Sequence, residues 1–382
     1  MRESIIIRNF GPIKEVNIEN IRPLTIFIGE SGSGKSTILK VIALFRWIFK
    51  MVNIRSYLKQ SGISKSPFRF SFNTYLRISG FEGYLNKNTE IIYSRGNCII
   101  EFKKGKLNAE KIIDYSQLSL EKMSFISDKR NIIPDILSNN FDKKNSGFFL
   151  RETLNDYLLA TKEIKELRID YLKVKFIVKK TNTGEKYFIE GTEEDNSYSI
   201  KLEDASSGTQ TVTPLSVITE YFTHNYDLVK SFNNAIFSYM TNSDNLSEFK
   251  AVTNIGDIKH KRVNIHIEEP ELSLYPESQR SLINFLVNRS FVDRPIDYDI
   301  TLMIATHSPY IINQINLLIL AGRKGVLEDN AKLVFDDVDV FEVADGYLNN
   351  LKREETFIID SRPLSDPISN IYMRYNDLDK LK

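Results

Sequence analysis

The sequence contains a single cysteine, Cys98, so no disulfide can form within the chain. Such scarcity is typical of proteins kept in a reducing compartment. An excess of charge is missing too, because 51 lysines and arginines stand against 50 aspartates and glutamates and leave a net charge of +1. A balanced chain is not drawn as a whole to nucleic acid or to a membrane surface, and either kind of binding would require a local basic patch.

Long apolar runs are also missing. The longest in the C-terminal third is Leu317–Ala321, whereas a helix that crosses a membrane needs about 20 apolar residues. The opening residues, MRESIIIRNFGPIKE, lack the apolar core of a secretory signal peptide. We therefore predict a cytoplasmic protein without a membrane segment.

What the sequence does contain is an alternation typical of an α/β fold. A chain of 382 residues, 42% of them hydrophobic, can form two or three structural units or one domain with a large insertion. Apolar runs of β-forming residues alternate with apolar residues at helical spacing, which predicts parallel strands joined by crossover helices. The predicted strands are 24–28, 263–267 and 301–305, and the predicted helices are 36–50 and 279–289.

The middle and the end of the chain differ from these segments in composition and in the length of their apolar runs. Between 55 and 200, Lys, Asn and Ser are frequent and the apolar segments are short. Hairpins are predicted at 90–102 and 174–190, with a helix at 154–167. No heptad pattern is sustained over several repeats, which argues against a long coiled coil. The last part of the chain is predicted as further strands or edge elements at 333–335, 340–343 and 357–359.

Residues 29–36, GESGSGKS, match the pattern G-x-x-x-x-G-K-[ST] in full. The match follows a predicted strand and opens a predicted helix, which is the context that a phosphate-binding P-loop requires. The glycines let the backbone curl around phosphates, Lys35 would reach the β- and γ-phosphates, and Ser36 would ligate Mg²⁺. The alternative is a chance turn rich in Gly and Ser. The predicted ATP-binding residues here are Gly29, Gly32, Ser33, Gly34, Lys35, Ser36 and Thr37.

Two acids follow the predicted strand 263–267, in the run VNIHIEEP. An acid at the carboxyl end of a strand beside a P-loop can bind Mg²⁺, and its neighbour can polarise the attacking water. We assign Glu268 to the metal and Glu269 to the water. Aspartate is usual at the metal position, so Glu268 adds one methylene. The alternative is a solvated acidic loop.

A histidine follows the predicted strand 301–305 in the run ATHSP. His307 is placed to contact the γ-phosphate or to hold the attacking water. The alternative is a core or capping histidine. The three other histidines lack this context and are interpreted as structural: His224, His260 and His266.

A further anion-binding pattern is ASSGTQ at 205–210, which precedes a helical stretch. Small residues and a glycine permit close backbone approach at a helix N-terminus, where N–H groups can bind phosphate. A plain helix cap is the alternative. The residues predicted to contact ATP here are Ser207, Gly208 and Gln210.

Together these four motifs resemble the ABC ATPases, and among them the RecF/SMC/OLD-like group: P-loop, signature, Walker B acids and switch histidine follow in the family's order. The run RNFGPI at 8–13 looks like the start of such heads. The run EPELSLYP at 269–276 is similar to the E-P-E-x-x-L-H-P stretch of OLD-like ATPases, with Tyr275 in place of His. The resemblance implies a mixed sheet core with an antiparallel β subdomain and a helical lobe. It also implies dimers that sandwich ATP, with Ser207 and Gly208 touching the other subunit's nucleotide, and a dimer-contacting D-loop at 273–276.

The resemblance leaves several positions open. Gln60 and Gln117 are candidates by position for the glutamine of the Q-loop. Arg130 ends an apolar run as in related ATPases and is interpreted as a phosphate or dimer contact. An acidic nuclease cluster of Toprim type is not recognised, and the late acids are interpreted as a solvated strand edge: Asp336, Asp337, Asp339 and Glu342.

The sequence therefore predicts a discontinuous ATPase head, 1–54 and 201–382, that carries an inserted region at 55–200. A compact head of this type resembles the ATPase subunits of bacterial anti-phage systems such as Septu and PARIS. That resemblance implies a homodimer or higher oligomer that hydrolyses ATP and regulates a separate nuclease or toxin effector. One alternative is a RecF-type repair ATPase that binds DNA through basic patches at 259–262 or 50–69. Another is a nucleotide sensor that does not hydrolyse ATP.

Overall fold

The computed structural model describes residues 1–63, 72–109, 111–138, 147–182, 184–193, 198–241 and 249–380. The strands are β1 Glu3–Phe10, β2 Ile13–Ile18, β3 Leu24–Ile28, β4 Glu90–Arg95, β5 Cys98–Lys103, β6 Lys106–Asn108, β7 Ser119–Ile126, β8 Glu166–Ile169, β9 Val174–Thr181, β10 Gly184–Gly191, β11 Ser199–Lys201, β12 His260–Glu268, β13 Asp299–Thr306, β14 Val338–Ala344, β15 Tyr347–Asn350, β16 Lys352–Arg353 and β17 Ile358–Ile359. The α-helices are α1 Lys35–Gln60, α2 Phe72–Ile78, α3 Ile133–Leu137, α4 Phe148–Glu163, α5 Ser207–Glu220, α6 Leu228–Thr241, α7 Pro276–Val287, α8 Pro309–Lys324 and α9 Arg362–Asp379. None of these described helices is both long and apolar enough to span a bilayer.

The central sheet has six strands in the order β15-β14-β3-β13-β12-β7. The five strands from β14 to β7 are parallel, and β15 adds an antiparallel edge. Every residue of β3 is buried, as expected for an apolar parallel strand covered on both faces. Because these strands run in one direction, the carboxyl ends of β3, β13 and β12 meet at the same edge of the sheet.

Smaller antiparallel sheets flank this core. One has the order β2-β1-β4-β5-β6 and another the order β11-β10-β9-β8. Helix α4 packs against α5 and against β7, which forms a helical lobe at that side of the central sheet. The predicted fold class is confirmed: an α/β protein with a mixed core sheet, antiparallel β sheets and a helical lobe.

The sheet topology does not separate an inserted region at 55–200 from the head. Strand β4 pairs with β1, with Ile5 opposite Tyr93, and β7 pairs with β12 in the central sheet. The predicted boundary near residue 54 falls inside α1. The physical reason is that strands which pair in a sheet can lie far apart in the sequence. The middle of the chain is rich in polar residues, and its composition therefore gave no sign that its strands complete both sheets of the head.

Both predicted hairpins are confirmed, as β4–β5 and β9–β10. The predicted helix at 154–167 begins and ends earlier, at Phe148–Glu163. The end of the chain differs more, because residues 335–337 form a 3₁₀ turn and the helix α9 follows the predicted strands. Strand β14 is not an edge strand, since it lies between β3 and β15.

His266 is a core residue, as the alternation along its strand predicts. Its side chain is fully buried and its Nε2 atom lies 3.1 Å from the Arg46 guanidinium. Burial, and then the charge of Arg46, lower the pKa of His266 to about 3. Arg46 also donates to the buried carboxylate of Glu3, which ties β1 to α1. This network holds α1 in the position from which it presents the P-loop.

Candidate nucleotide-binding site

The P-loop joins β3 to α1 through a backbone that only glycine adopts without strain. Gly34 is the N-cap of α1, with φ 109° and ψ 5°. A Cβ atom at this position would lie 2.6 Å from the Cδ1 atom of Ile13, which is far inside van der Waals contact. Glycine is therefore required both by the backbone angle and by the close approach of the β1–β2 turn.

Lys35 places its ammonium group inside the loop. The side chain is nearly buried, and Nζ donates to the carbonyl oxygens of Gly29 at 2.9 Å and Glu30 at 2.7 Å. Burial lowers the pKa of Lys35, and the carboxylates of Glu269 and Glu271 oppose that shift. A positive charge is thus held among backbone dipoles, at the mouth of a helix N-terminus that itself favours anions.

Glu268 lies beside the first turn of α1. Its carboxylate is 1% exposed, and Oε1 forms an ion pair of 2.7 Å with the ammonium of Lys40. Burial raises the pKa of Glu268, and Lys40 and the Ser36 hydroxyl oppose the rise. The second oxygen, Oε2, is buried without a hydrogen-bond partner in the described structure. Lys40 had no assigned role in the sequence, because nothing in its spacing marks a contact with Glu268.

A magnesium ion would fit this donor set. A buried carboxylate oxygen without a partner beside a serine hydroxyl supplies hard oxygen ligands of the type Mg²⁺ prefers. In the described part of the chain, no group of three or more His, Cys, Asp or Glu side chains could hold a metal. That is compatible with Mg²⁺, which is usually bound by one or two protein ligands together with substrate phosphates.

Glu269 and His307 come together at the ends of neighbouring strands. The Oε1 atom of Glu269 lies 3.4 Å from Nε2 of His307, and both side chains are about one third exposed. The backbone N–H of Glu269 donates to Ala305 at 2.8 Å, which fixes the two strand ends to each other. Glu269 has φ 44°, a left-handed conformation that costs a non-glycine residue about 1–2 kcal/mol. Strained backbone of this kind is concentrated at functional sites.

Glu271 braces the loop that carries His307. One of its carboxylate oxygens accepts hydrogen bonds from the hydroxyl of Thr306 at 2.8 Å and from the backbone N–H of His307 at 2.6 Å. The sequence included Glu271 only as part of the E-P-E stretch and gave it no role. The pairing joins two loops 36 residues apart in sequence, so sequence spacing offers no direct signal of it.

The signature segment opens α5, but its capping residue is Ser206. The Ser206 side chain accepts from the N–H of Thr209, whereas Ser207 is exposed. The side chain of Gln210 donates to the carbonyl oxygen of Glu203 at 2.7 Å. The capping function therefore belongs to Ser206, and the exposed Ser207 is not needed for it.

Gly208 lies directly against the D-loop. A Cβ atom there would be 2.9 Å from the carbonyl oxygen of Ser273, so a larger residue would push the two segments apart. Tyr275, which replaces the usual His, has a side chain that is 77% exposed. The signature and the D-loop thus form one exposed surface on the same subunit.

Arg130 connects the signature helix with the strand end that carries the acids. The residue is fully buried in a 3₁₀ helix, Asp128–Ile132, that follows β7. Its guanidinium donates to backbone carbonyls only, those of Ser127, Thr211, Glu268, Glu269 and Pro270. Burial lowers the pKa of Arg130 to about 10. The interpretation of Arg130 as a phosphate or dimer contact is wrong, because every polar atom of the side chain is directed inward.

Replacing Arg130 with Met should destabilise the fold and weaken catalysis without abolishing nucleotide binding. The substitution leaves several buried carbonyl oxygens without donors, so we expect a loss of about 3–5 kcal/mol in the free energy of unfolding. Chemical denaturation measures this loss. Arg168→Met is the matched control, because Arg168 forms an exposed ion pair with Asp170 at 3.1 Å and should cost less than about 1 kcal/mol. Equal losses in the two variants would contradict the role assigned to Arg130.

Neither Q-loop candidate lies near the P-loop. Gln60 ends α1, about 37 Å along the helix from Lys35, and its side chain donates to the carbonyl of Ile113. The Gln117 side chain accepts from the N–H of Asn97 in the β4–β5 turn. At the end of β7 stands Asp128 instead, whose charge contributes to raising the pKa of Glu268. Asp128 had no assigned role in the sequence.

The four acidic residues predicted to lie at a solvated strand edge, Asp336, Asp337, Asp339 and Glu342, are not all exposed. Asp336 and Asp337 are exposed in a 3₁₀ turn, but Asp339 is buried on the interior strand β14. Burial raises the pKa of Asp339, and Lys352 and Arg22 oppose the rise. Their ammonium and guanidinium nitrogens lie 4.0 Å and 3.9 Å from the carboxylate.

The chain is similar to one sequence family and to several solved structures. The sequence profile of a family described as an AAA domain matches residues 4–291. One similar solved structure is an SMC head bound to the C-winged helix domain of ScpA, at 13% identity and a TM-score of 0.42, with 92% of this chain and 98% of that chain covered. Another is the recombination mediator protein RecF of the RecFOR pathway, at 10% identity, a TM-score of 0.33 and coverage of 92% and 98%. At these identities and scores the likeness implies neither a shared function nor shared partners. No curated protein sequence matches the chain significantly.

Proposed function

The chain belongs to the AAA domain family, and from this premise we propose that it is an ABC-type ATPase that binds ATP with Mg²⁺, dimerises around the nucleotide and hydrolyses it. The observation that carries the proposal is the meeting of the P-loop with Glu268, Glu269 and His307 at the carboxyl edge of three adjacent strands, β3, β13 and β12. These groups come from three segments of the chain, the ends of β3, β12 and β13, and the shared edge brings them together.

Each residue of the site has its own role in phosphate binding, metal binding or hydrolysis. Lys35 and the N–H groups of the P-loop bind the phosphates of ATP. Ser36 and Glu268 hold Mg²⁺, which when bound would neutralise the charge of the phosphate oxygens. Glu269 accepts a proton from the attacking water, and His307, 3.4 Å away, orients that water or contacts the γ-phosphate. Glu271 fixes the backbone of His307 through its N–H.

We infer that the signature serves a second subunit rather than its own. Between β3, which leads into the P-loop, and β7, whose end is tied to α5 through Arg130, stand the strands β13 and β12. Three strand spacings amount to about 14 Å. A phosphate bound at its own P-loop is therefore separated from Ser207 and Gly208 by the Walker B strand, and these residues would contact ATP across a dimer interface.

Substituting Ser207 with Arg should block the ATP-dependent closure of two heads while leaving ATP binding intact. The added cation and volume would stand where the other subunit's γ-phosphate has to dock. Calorimetry should show ATP affinity unchanged, and cross-linking between the two heads should show no ATP-dependent contact. Ser206→Ala is the matched control: it removes the N-cap, should cost about 1 kcal/mol of stability and should leave dimerisation intact. Normal hydrolysis by Ser207→Arg would contradict the shared site.

We further propose that the ATPase regulates a separate effector, a nuclease or toxin, in bacterial anti-phage defence. The support is the resemblance of its motifs and compact head to the ATPase subunits of such systems. The test is to purify the chain together with the product of the adjacent gene and to measure nuclease activity with ATP. Activity that changes in the Glu269→Gln complex supports regulation by hydrolysis. A complex that does not form, or a nuclease indifferent to nucleotide, contradicts it.

Direct action on DNA has less support from the described residues. Of the patch at 259–262, Arg262 donates to the buried Glu3 at 3.0 Å. Of the stretch 50–69, Arg55 is buried, and residues 64–69 lie outside the described residues. Lysines of β9 are also paired across their sheet, as Lys179 is with Glu190 at 2.9 Å. Salt-dependent binding of duplex DNA at physiological salt would favour this alternative.

A further inference from the structure

Helix α9 exposes several large apolar side chains, and three of them form a row along one side. Ile371, Tyr375 and Leu378 are 67%, 65% and 67% exposed. Leu364, at the beginning of the helix, packs partly against the core and so anchors α9 to the head. Exposed apolar rows of this length mark surfaces that bind another protein.

The spacing of the residues in the row indicates that a second helix packs against it. Ile371, Tyr375 and Leu378 follow one another at intervals of four and three, and Ile368 continues the interval of three in the sequence. This is the a/d repeat with which two helices pack as a coiled coil. From Ile368 to Leu378 the repeat covers about one and a half heptads, so it lies below the length at which a long coiled coil would be recognised.

The charged residues beside the row indicate that the partner is a second copy of the same helix. With Ile371 and Leu378 at d positions and Tyr375 at a, Arg374 falls at g and Asp379 at e. In a parallel pair of identical helices, a g residue faces the e residue five positions later on the other helix. Arg374 would therefore meet Asp379 of the partner subunit, twice by symmetry. An antiparallel pair would instead bring Arg374 against its own copy.

We propose that α9 pairs in parallel and in register with α9 of a second copy of the chain, and that this contact does not require ATP. The proposal goes beyond the ATPase function, because it concerns a second dimer interface. Two heads joined in this way would have an effective concentration of about millimolar with respect to each other. Closure of the heads around ATP then becomes an event within one complex.

The test uses the full chain with Lys35→Ala and no nucleotide, so that dimerisation through ATP cannot contribute. Sedimentation equilibrium should show a dimer. Ile371→Asp and Leu378→Asp should each weaken the dimer at least about tenfold, because burial of a large apolar side chain is worth that factor or more. Met373→Asp is the matched control: Met373 is 57% exposed on the same helix, at the f position opposite the row, and its substitution should leave the dimer unchanged.

A charge exchange tests the orientation. Arg374→Glu should weaken the dimer, and the double variant Arg374→Glu with Asp379→Arg should restore it. Circular dichroism confirms that each variant retains its fold. A monomer at about 100 µM, a concentration at which even weak specific contacts are populated, would overturn the proposal, as would equal effects of Met373→Asp and Ile371→Asp. A dimer that the single charge change does not weaken would overturn the parallel pairing.

Discussion

Replacing Lys35 with Ala should reduce ATP affinity by about 10- to 100-fold or more. The ammonium group is the charge that the P-loop presents to the phosphates, and one hydrogen bond to a charged group is worth about 1.5–3 kcal/mol. In the protein this group is nearly buried and donates to the carbonyls of Gly29 and Glu30. It is therefore already positioned at the site, so little ordering of the side chain opposes binding. Isothermal calorimetry with ATP and Mg²⁺ measures the change.

Lys59→Ala is the matched control for this experiment. Lys59 lies in the last turn of the same helix, about 36 Å from Lys35 along the axis. Its removal changes net charge by the same amount without touching the P-loop, so ATP affinity should stay at the wild-type value. If Lys35→Ala bound ATP as tightly as Lys59→Ala, the P-loop assignment would be wrong. Thermal unfolding of both variants separates loss of the site from loss of the fold.

The second large effect is expected for Glu269→Gln. The change keeps the shape of the side chain but removes the negative charge that accepts a proton from water, and general bases contribute about 10²- to 10⁴-fold to a rate. Single-turnover hydrolysis should slow by that factor, while ATP binding persists. Because ATP then stays bound, the variant should also accumulate as a nucleotide-bound dimer. Single-turnover measurements with labelled ATP give the rate directly.

Glu277→Gln provides the control. Glu277 is exposed in the first turn of α7 and forms an ion pair of 3.0 Å with Arg280, so its substitution should leave hydrolysis unchanged. If Glu269→Gln hydrolysed ATP as fast as Glu277→Gln, the catalytic role would pass to Glu268. If the wild-type protein itself bound ATP without hydrolysing it, the sensor alternative would be favoured.

The sequence predicts the groups at the strand ends well, because a local motif fixes where each of them stands. The P-loop, the two acids and His307 each follow an apolar run, and parallel strands bring such ends to one edge of a sheet. Glu269 and His307 accordingly lie 3.4 Å apart, as their positions suggest. His266, interpreted from the sequence as structural, lies fully buried within β12.

Contacts between segments that are distant in the sequence could not be predicted from local motifs. Lys40 reaches Glu268 from the next helical turn, Glu271 reaches the backbone of His307, and Arg130 donates to five carbonyl groups. These contacts depend on how loops fold against one another, and the residue types involved have many other uses at a surface. The motif resemblance marked Arg130 as a site residue but assigned it the wrong contact.

The predicted boundary of an inserted region was wrong and α9 was not predicted, for two different physical reasons. Strand β4 joins β1 across almost ninety residues, as the pairing of Ile5 with Tyr93 shows, and neither segment alone indicates its partner. In α9, β-forming residues such as Ile371 and Tyr372 obscure a helix.

The central claim, that two subunits share each ATP site, is tested most directly by mixing two defective subunits. Ser207→Arg and Lys35→Ala are co-expressed with different tags, and the mixed dimer is purified through both. One of its two sites carries both defects and the other carries neither, so ATP hydrolysis should return to as much as about half of the wild-type rate, if the two sites act independently. Homodimers of each variant should remain inactive. A folded, stably mixed dimer without activity would contradict the shared site.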